Sequence, residues 1–338
     1  MTSLRLIFEN LVRCFIGDCR TLCHRWHVGI AILVSATTMF IASQSCQRSP
    51  ENDSLSKSKS ERCDVKLSDF EALIPLHQKL TAPAPDEWLF DHQESGQSLK
   101  TYVQSDPVCP DTSRNVIYIE LLGSFDTVDL ATIEKLQEYV EIFFGLPVRV
   151  GIPVSDSIVP PQSRRFHLQH EQLHTNYILH QFLRKNMPKD AMVSLAVTEK
   201  DIYPKKSWNF VFGRASLKER VGVASIYYFK QYMIDTVSWS SYEDRLLKTA
   251  THEISHMLSM KHCIDYRCLM NGSLSLDEMD SKPTWLCPEC LAKLGWCTNS
   301  CLIERYAALS DFFHLNNSDK KAHFYKLAQQ KMDRQVGN

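Results

Sequence analysis

The feature that most constrains this chain is a run of potential metal ligands in its second half: HEISHMLSMKHC from His252 to Cys263, then CLM from Cys268 to Met270, then CPEC from Cys287 to Cys290. On a helix, residues four apart share a face, so His252 and His256 can aim two imidazoles at one ion with Glu253 beside them. His262 follows six residues later. At about 100° and about 1.5 Å per residue, an unbroken helix would carry it roughly 120° away and about 9 Å farther along the axis. The helix must therefore end before His262 if the three are to converge. The apolar side formed by Leu246, Leu247, Ala250, Ile254, Met257 and Leu258 does fade over SMKHCIDYRC. Ser259 stands where a glycine would best make the turn, and serine adopts a left-handed conformation at a cost of about 1 to 2 kcal/mol.

The same spacing occurs earlier, in HEQLHTNYILH from His170 to His180. There Ile178, Leu179, Phe182 and Leu183 extend an apolar stripe past His180, and the first stop is at Asn186 to Pro188. The pattern predicts one long helix from about Phe166 to Lys185, with His180 on the wrong face. His170, His174 and His180 are read as polar or partly buried positions of that helix, without a metal.

Six of the twelve cysteines lie between Cys263 and Cys301. Close pairs suit zinc, because two thiolates a few residues apart can wrap one ion within a turn. Two sets have workable spacing: Cys263, Cys268, Cys287 and Cys290, or Cys287, Cys290, Cys297 and Cys301. Metal is preferred to disulfides, which favours a reducing compartment, the cytoplasm or nucleus. Against this stands an uncharged apolar run from Val28 to Ser43, behind Arg5, Arg13, Arg20 and Arg25. It is shorter than the roughly 17 to 25 residues of a membrane span, yet its basic flank suits an anchor. Membrane contact is expected only through that run, and membrane anchoring is the alternative location. A net charge of -1 and a pI near 6.9 give no electrostatic reason to expect nucleic acid.

Four regions follow from the pattern: an extension over 1–63 ending in a Ser/Lys-rich linker, a segment over 64–112 packing on the main domain, a main domain over 113–310 that carries the HExxH strings, and a polar, helical tail over 311–338. Within the main domain, strands are predicted at Arg114 to Gly123, Pro147 to Pro153, Met192 to Tyr203, Trp208 to Ala215 and Val221 to Phe229. Helices are predicted at Leu130 to Gly145 and Tyr242 to Leu258. This order argues for an α/β fold: a mixed twisted sheet with helices packed on it, one of them carrying HExxH.

The order HExxH, His262, Cys263, Cys268-Leu269-Met270 and Cys287-Pro288-Glu289-Cys290 resembles the archaemetzincins, a branch of the metzincin zinc peptidases. NFVFGRA followed by VGVASIYYF and the metal-site helix is also similar to that family's strand order. The resemblance runs from about Asn115 to Trp296. It implies a catalytic zinc on His252, His256 and His262, Glu253 as general base and later acid, and Met270 as an apolar floor beneath the ligands. It also implies a closed, structural zinc on Cys263, Cys268, Cys287 and Cys290, making two Zn2+ per chain, and leaves the first HExxH without a ligand role. Three neutral imidazoles leave zinc one open position at which water is activated for attack on a peptide carbonyl.

The expected function is therefore a zinc metallopeptidase acting on small peptides, with aminopeptidase action suggested by the resemblance. Its partner would be a peptide substrate, and a monomer is the default. The alternative is a zinc-stabilised binding or scaffold protein with a decayed site, which Ser259 favours. VGVASIYYF is read either as the edge strand on which a peptide docks or as an internal strand.

Overall fold

Strand β5 (Ala191–Thr198) is buried along its whole length, so it must be covered on both faces and flanked on both edges. The computed structural model, which describes residues 67–230, 236–300 and 302–336, supplies both. The expectations for residues 1–63, including the apolar run from Val28 to Ser43, and for Cys301 lie outside those residues. The main sheet has the order β2-β1-β5-β8-β7, with β1 (Val116–Leu122), β2 (Val148–Val150), β7 (Gly213–Ala215) and β8 (Val221–Ser225). All neighbours are parallel except β7, which runs antiparallel to β8 at the edge.

Alternation along β5 divides the core. Val193, Leu195 and Val197 join Ile117, Ile119 and Leu121 under two helices, α1 (Thr127–Phe144) and α2 (Thr236–Met257). Asp126 and Asp129 close the start of α1 with a reciprocal capping box, and Gly145 ends it at φ 64°. Ala196 faces the other way, with Leu173, Ile178, Leu179 and Leu183.

That second layer corrects the helix predicted over Phe166 to Lys185. Its first half is a hairpin of β3 (Arg164–His167) and β4 (His170–His174), joined through Leu168 and Gln169 at φ 50° and 66°. Two successive left-handed residues form the tight turn that matches strand twist. Helical structure begins only at Thr175–Tyr177, passes through a π-helical stretch at Ile178–Leu183 and ends at Arg184–Asn186. The expected strand from Met192 to Tyr203 also divides: β6 (Asp201–Tyr203) leaves the main sheet to pair with β4.

After α2 come α3 (Leu276–Ser281), α4 (Pro288–Thr298), α5 (Leu302–Leu315) and α6 (Asp319–Val336). The C-terminal stretch expected as a polar tail is amphipathic: Phe312, Phe313, Tyr325, Ala328 and Met332 enter the main core. Residues before β1 also pack inward. The Tyr102 hydroxyl donates to the Leu258 carbonyl at 2.8 Å, at the end of α2. Among the described residues, no helix is long and apolar enough to cross a membrane.

Candidate active site

Helix α2 carries His252, Glu253 and His256 and stops one residue beyond, at Met257. The stop is made by Ser259 at φ 67°, whose N–H donates to the His256 carbonyl at 2.8 Å. Its hydroxyl donates to the Leu217 carbonyl at 2.8 Å and accepts from the Val108 N–H at 3.0 Å. Serine thus takes the strained position that suits glycine, but gains two hydrogen bonds that glycine cannot form. The chain then returns His262 to the helix: its ring centre lies 5.2 Å from that of His252 and 4.8 Å from that of His256. The three imidazoles form one group that could hold a metal, with their nitrogens within 4.8 Å of one another.

The ring nitrogens not facing the group have partners. His252 Nδ1 donates to the Leu269 carbonyl at 2.9 Å and His256 Nδ1 to the Met260 carbonyl at 2.6 Å. In neutral rings both Nε2 atoms then carry lone pairs, and they lie 3.0 Å apart. Burial lowers the His256 pKa to about 3 and holds that of His252 well below its usual value, with neighbouring positive charge acting in the same direction. A proton is therefore disfavoured between the two lone pairs, and a cation such as zinc fits there. His262 Nδ1 lies 2.8 Å from Glu94 Oε1, a carboxylate that also accepts from Trp88 Nε1 at 2.8 Å. Burial raises the Glu94 pKa, but hydrogen bonding and charge from His262 prevail and lower it.

Glu253 is 6 % exposed. Burial pushes its pKa up to about 8 against the charges of Lys282 and Arg214. Gly213 on the edge strand leaves the space it occupies, since a Cβ there would overlap its carboxylate. Gly213, Glu253 and the three histidines line one cavity of about 990 Å³, together with Trp88, Trp208, Met279 and Lys282. Among the described residues, the unpaired sheet edge that lines this cavity is β7. Of the two readings of VGVASIYYF the internal strand holds, with β8 between β5 and β7, and its predicted end is corrected: it stops at Ser225, and a helical turn, Tyr227–Lys230, replaces the aromatic end.

The second candidate group is Cys263, Cys268, Cys287 and Cys290, all buried, with sulfurs within 4.8 Å of one another. Cys268 Sγ accepts from the N–H groups of Cys287 at 3.2 Å and Met270 at 3.5 Å. Cys287 stands at the N-cap position of α4 without a side-chain capping bond and Pro288 opens the helix, an end whose partial positive charge suits thiolates. Hydrogen bonds from the other three cysteines pull the Cys263 thiol pKa down, whereas burial pushes that of Cys268 up. The rival thiolate set fails at Cys297, which is paired with Cys109 in a disulfide, Cα to Cα 5.2 Å. That pair also departs from the expectation of metal without disulfides. Met270 is fully buried, and the Leu269 carbonyl before it holds His252.

The earlier histidines do not meet. His170 Nε2 lies 2.7 Å from Asp201 Oδ2, His174 Nε2 reaches the Pro204 carbonyl at 3.2 Å, and His180 lies 3.5 Å from Glu219. Glu94, Gly213 and Lys282 belong to no ligand spacing in the sequence and reach the site from three other parts of the chain.

Three imidazoles and a buried carboxylate in an open cleft, beside a free strand edge of an α/β domain, define the class of a metal-dependent peptidase. The chain belongs to peptidase family M54, the archaemetzincins, whose pattern it matches over residues 128–296. Archaemetzincin-2 of Mus musculus is 34% identical over 274 residues, covering 71% of this chain and 76% of that relative. Archaemetzincin-2 of Homo sapiens is 33% identical over 283 residues, covering 74% and 78%. A crystal structure of archaemetzincin from Archaeoglobus fulgidus is 32% identical with a TM-score of 0.42, covering 53% of this chain and 99% of that one. The protein is therefore a zinc metallopeptidase, a hydrolase whose substrates are peptides.

Proposed function

We propose that His252, His256 and His262 hold a catalytic zinc, that Glu253 is the general base, and that Cys263, Cys268, Cys287 and Cys290 hold a second, structural zinc. The observation that carries this reading is the 3.0 Å approach of the His252 and His256 Nε2 atoms, whose Nδ1 partners leave both lone pairs facing inward. When bound, zinc supplies a Lewis acid that makes water nucleophilic near neutral pH and polarises the scissile carbonyl. The chain supplies the rest. The Glu253 carboxylate takes a proton from the attacking water and returns it to the departing amine. Glu94 holds the third imidazole by its Nδ1–H. The open backbone of β7 aligns an extended peptide by strand addition, and Met270 forms an apolar floor.

The reading extends to small peptides cut from the amino terminus, as the family resemblance implies. It takes residues 64–112 as part of the working domain, because Trp88 and Glu94 reach the cleft. Four buried free thiols support a cytoplasmic or nuclear setting, although the Cys109–Cys297 disulfide is the opposite signal. The protein is expected to act as a monomer.

Zinc per chain, measured by elemental analysis, tests the assignment. Two ions in wild type should fall to one in the His256→Ala, His262→Ala double variant, and Glu253→Ala should keep both while losing peptide turnover. One ion in both wild type and the double variant would leave the histidines idle and favour a zinc-stabilised scaffold.

A further inference from the structure

Lys282 is buried, and the carboxylates that act on its charge, Glu253 and Glu278, lie beyond ion-pair distance among the described residues. It is 7 % exposed and lines the cavity that holds the three histidines and Glu253. Its ammonium donates to the Asn271 carbonyl at 3.0 Å, which leaves two of its three N–H donors. Among the described residues it forms no ion pair within 4.0 Å. The neighbouring buried Lys248 differs, because Asp244 lies 2.8 Å from it. A buried charge left unpaired is costly, and such groups in clefts commonly meet a ligand. The Ser273 hydroxyl, on a residue lining the same cavity two positions from Asn271, also has no hydrogen-bond partner among the described residues. The other cations of the cavity are less available. Arg214 is committed to Thr175 and Asn176 at 2.8 and 2.6 Å, and Lys261 is exposed.

We propose that Lys282, assisted by the Ser273 hydroxyl, forms a carboxylate-binding subsite that selects peptides presenting an acidic side chain or a free C-terminal carboxylate beside the bond to be cut. Lys282 and Ser273 line the same cavity as Glu253 and the three histidines, so a carboxylate held there belongs to the peptide seated in the cleft. The proposal rests on the peptidase reading above.

The test uses the full chain with zinc. A mixed peptide library is digested, cut sites are mapped by mass spectrometry, and each peptide is supplied with a free or an amidated C-terminus. In parallel, fluorescence anisotropy measures binding of end-labelled peptide pools containing Glu and Asp, or Gln and Asn. Wild type should favour the acidic pool, or the free over the amidated terminus, by about tenfold or more, the range for a hydrogen bond to a charged group. A preference for side chains assigns the first source; one abolished by amidation assigns the second. Lys282→Met should erase the preference, read as the ratio of acidic to neutral peptides in cutting and in binding, Lys282→Arg should retain it in part, and Lys282→Glu should shift it to basic peptides. Equal preferences in wild type and Lys282→Met, in cutting and in binding, would overturn the proposal. Acidic peptides that bind through Lys282 without being cut would instead remove the peptidase reading and keep the subsite.

Discussion

Glu94 and His262 are 168 residues apart in sequence, and Oε1 of one lies 2.8 Å from Nδ1 of the other. This contact fixes which nitrogen of His262 carries the proton and leaves Nε2 for a metal. Truncating Glu94 to alanine is expected to weaken zinc binding at the histidine group by about 10- to 100-fold. Glu94→Gln, which can still accept the hydrogen bond, should lose less. Competition with a graded chelator measures both, and unchanged affinity in Glu94→Ala would show that the contact is incidental.

Gly213 is defined by what it excludes. A Cβ at this position would overlap the carboxylate of Glu253, so Gly213→Ala must displace either the edge strand or the proposed base. A misplacement of about 1 Å can cost about a hundredfold in rate. The expected outcome is a fall in kcat of about ten- to a hundredfold with zinc content unchanged, measured by steady-state kinetics and elemental analysis.

Ser259→Gly removes the cost of φ 67° but also the bonds to Leu217 and Val108. Relief of about 1 to 2 kcal/mol is set against two hydrogen bonds of about 1 kcal/mol each and the desolvation of the partners left behind. Glycine should therefore be less stable than serine by about 1 kcal/mol. Ser259→Ala keeps the strain, loses both bonds and should be the least stable of the three. Urea unfolding of the three proteins gives the order, and glycine as the most stable would refute the compensation.

Asp244 on α2 ties two lysines, Lys248 at 2.8 Å and Lys321 on α6. Burial raises its pKa, but the two ammonium groups outweigh burial and hold it below the ordinary carboxylate value. A carboxylate depressed in the folded state stabilises the fold above its unfolded pKa, near about 3.9, and that contribution disappears as pH falls through the folded value. Asp244→Asn should therefore be clearly less stable than wild type at pH 7, and the difference in Tm should shrink below about pH 4. A gap that stays constant down to pH 3 would mean that the charge of Asp244 is not the source.

The histidine and cysteine groups were legible because their spacing is short-range: two ligands one helical turn apart, a third just beyond the helix end, and cysteines in tight pairs. The order of β1, α1 and β2 was legible for the same reason, through runs long enough to show their period. The segment around His170 was not. Its apolar positions Ile178, Leu179, Phe182 and Leu183 fit one helical stripe, although the residues just before them, His170–His174, form a strand. What separates strand from helix there is the left-handed pair Leu168 and Gln169 and the pairing of β4 with β6, and neither leaves a periodic trace.

By itself, then, the sequence determined the residues of both candidate metal groups and the helix end that the first one requires. Only the tertiary structure decided that Glu94 meets His262, that Gly213 admits Glu253, that Lys282 lines the cleft, that β7 is the sheet edge there among the described residues, and that Cys297 meets Cys109. The physical reason is distance along the chain. Local geometry follows from bond rotation within a few residues, whereas these partners are joined by packing across segments whose residues carry no mark of each other.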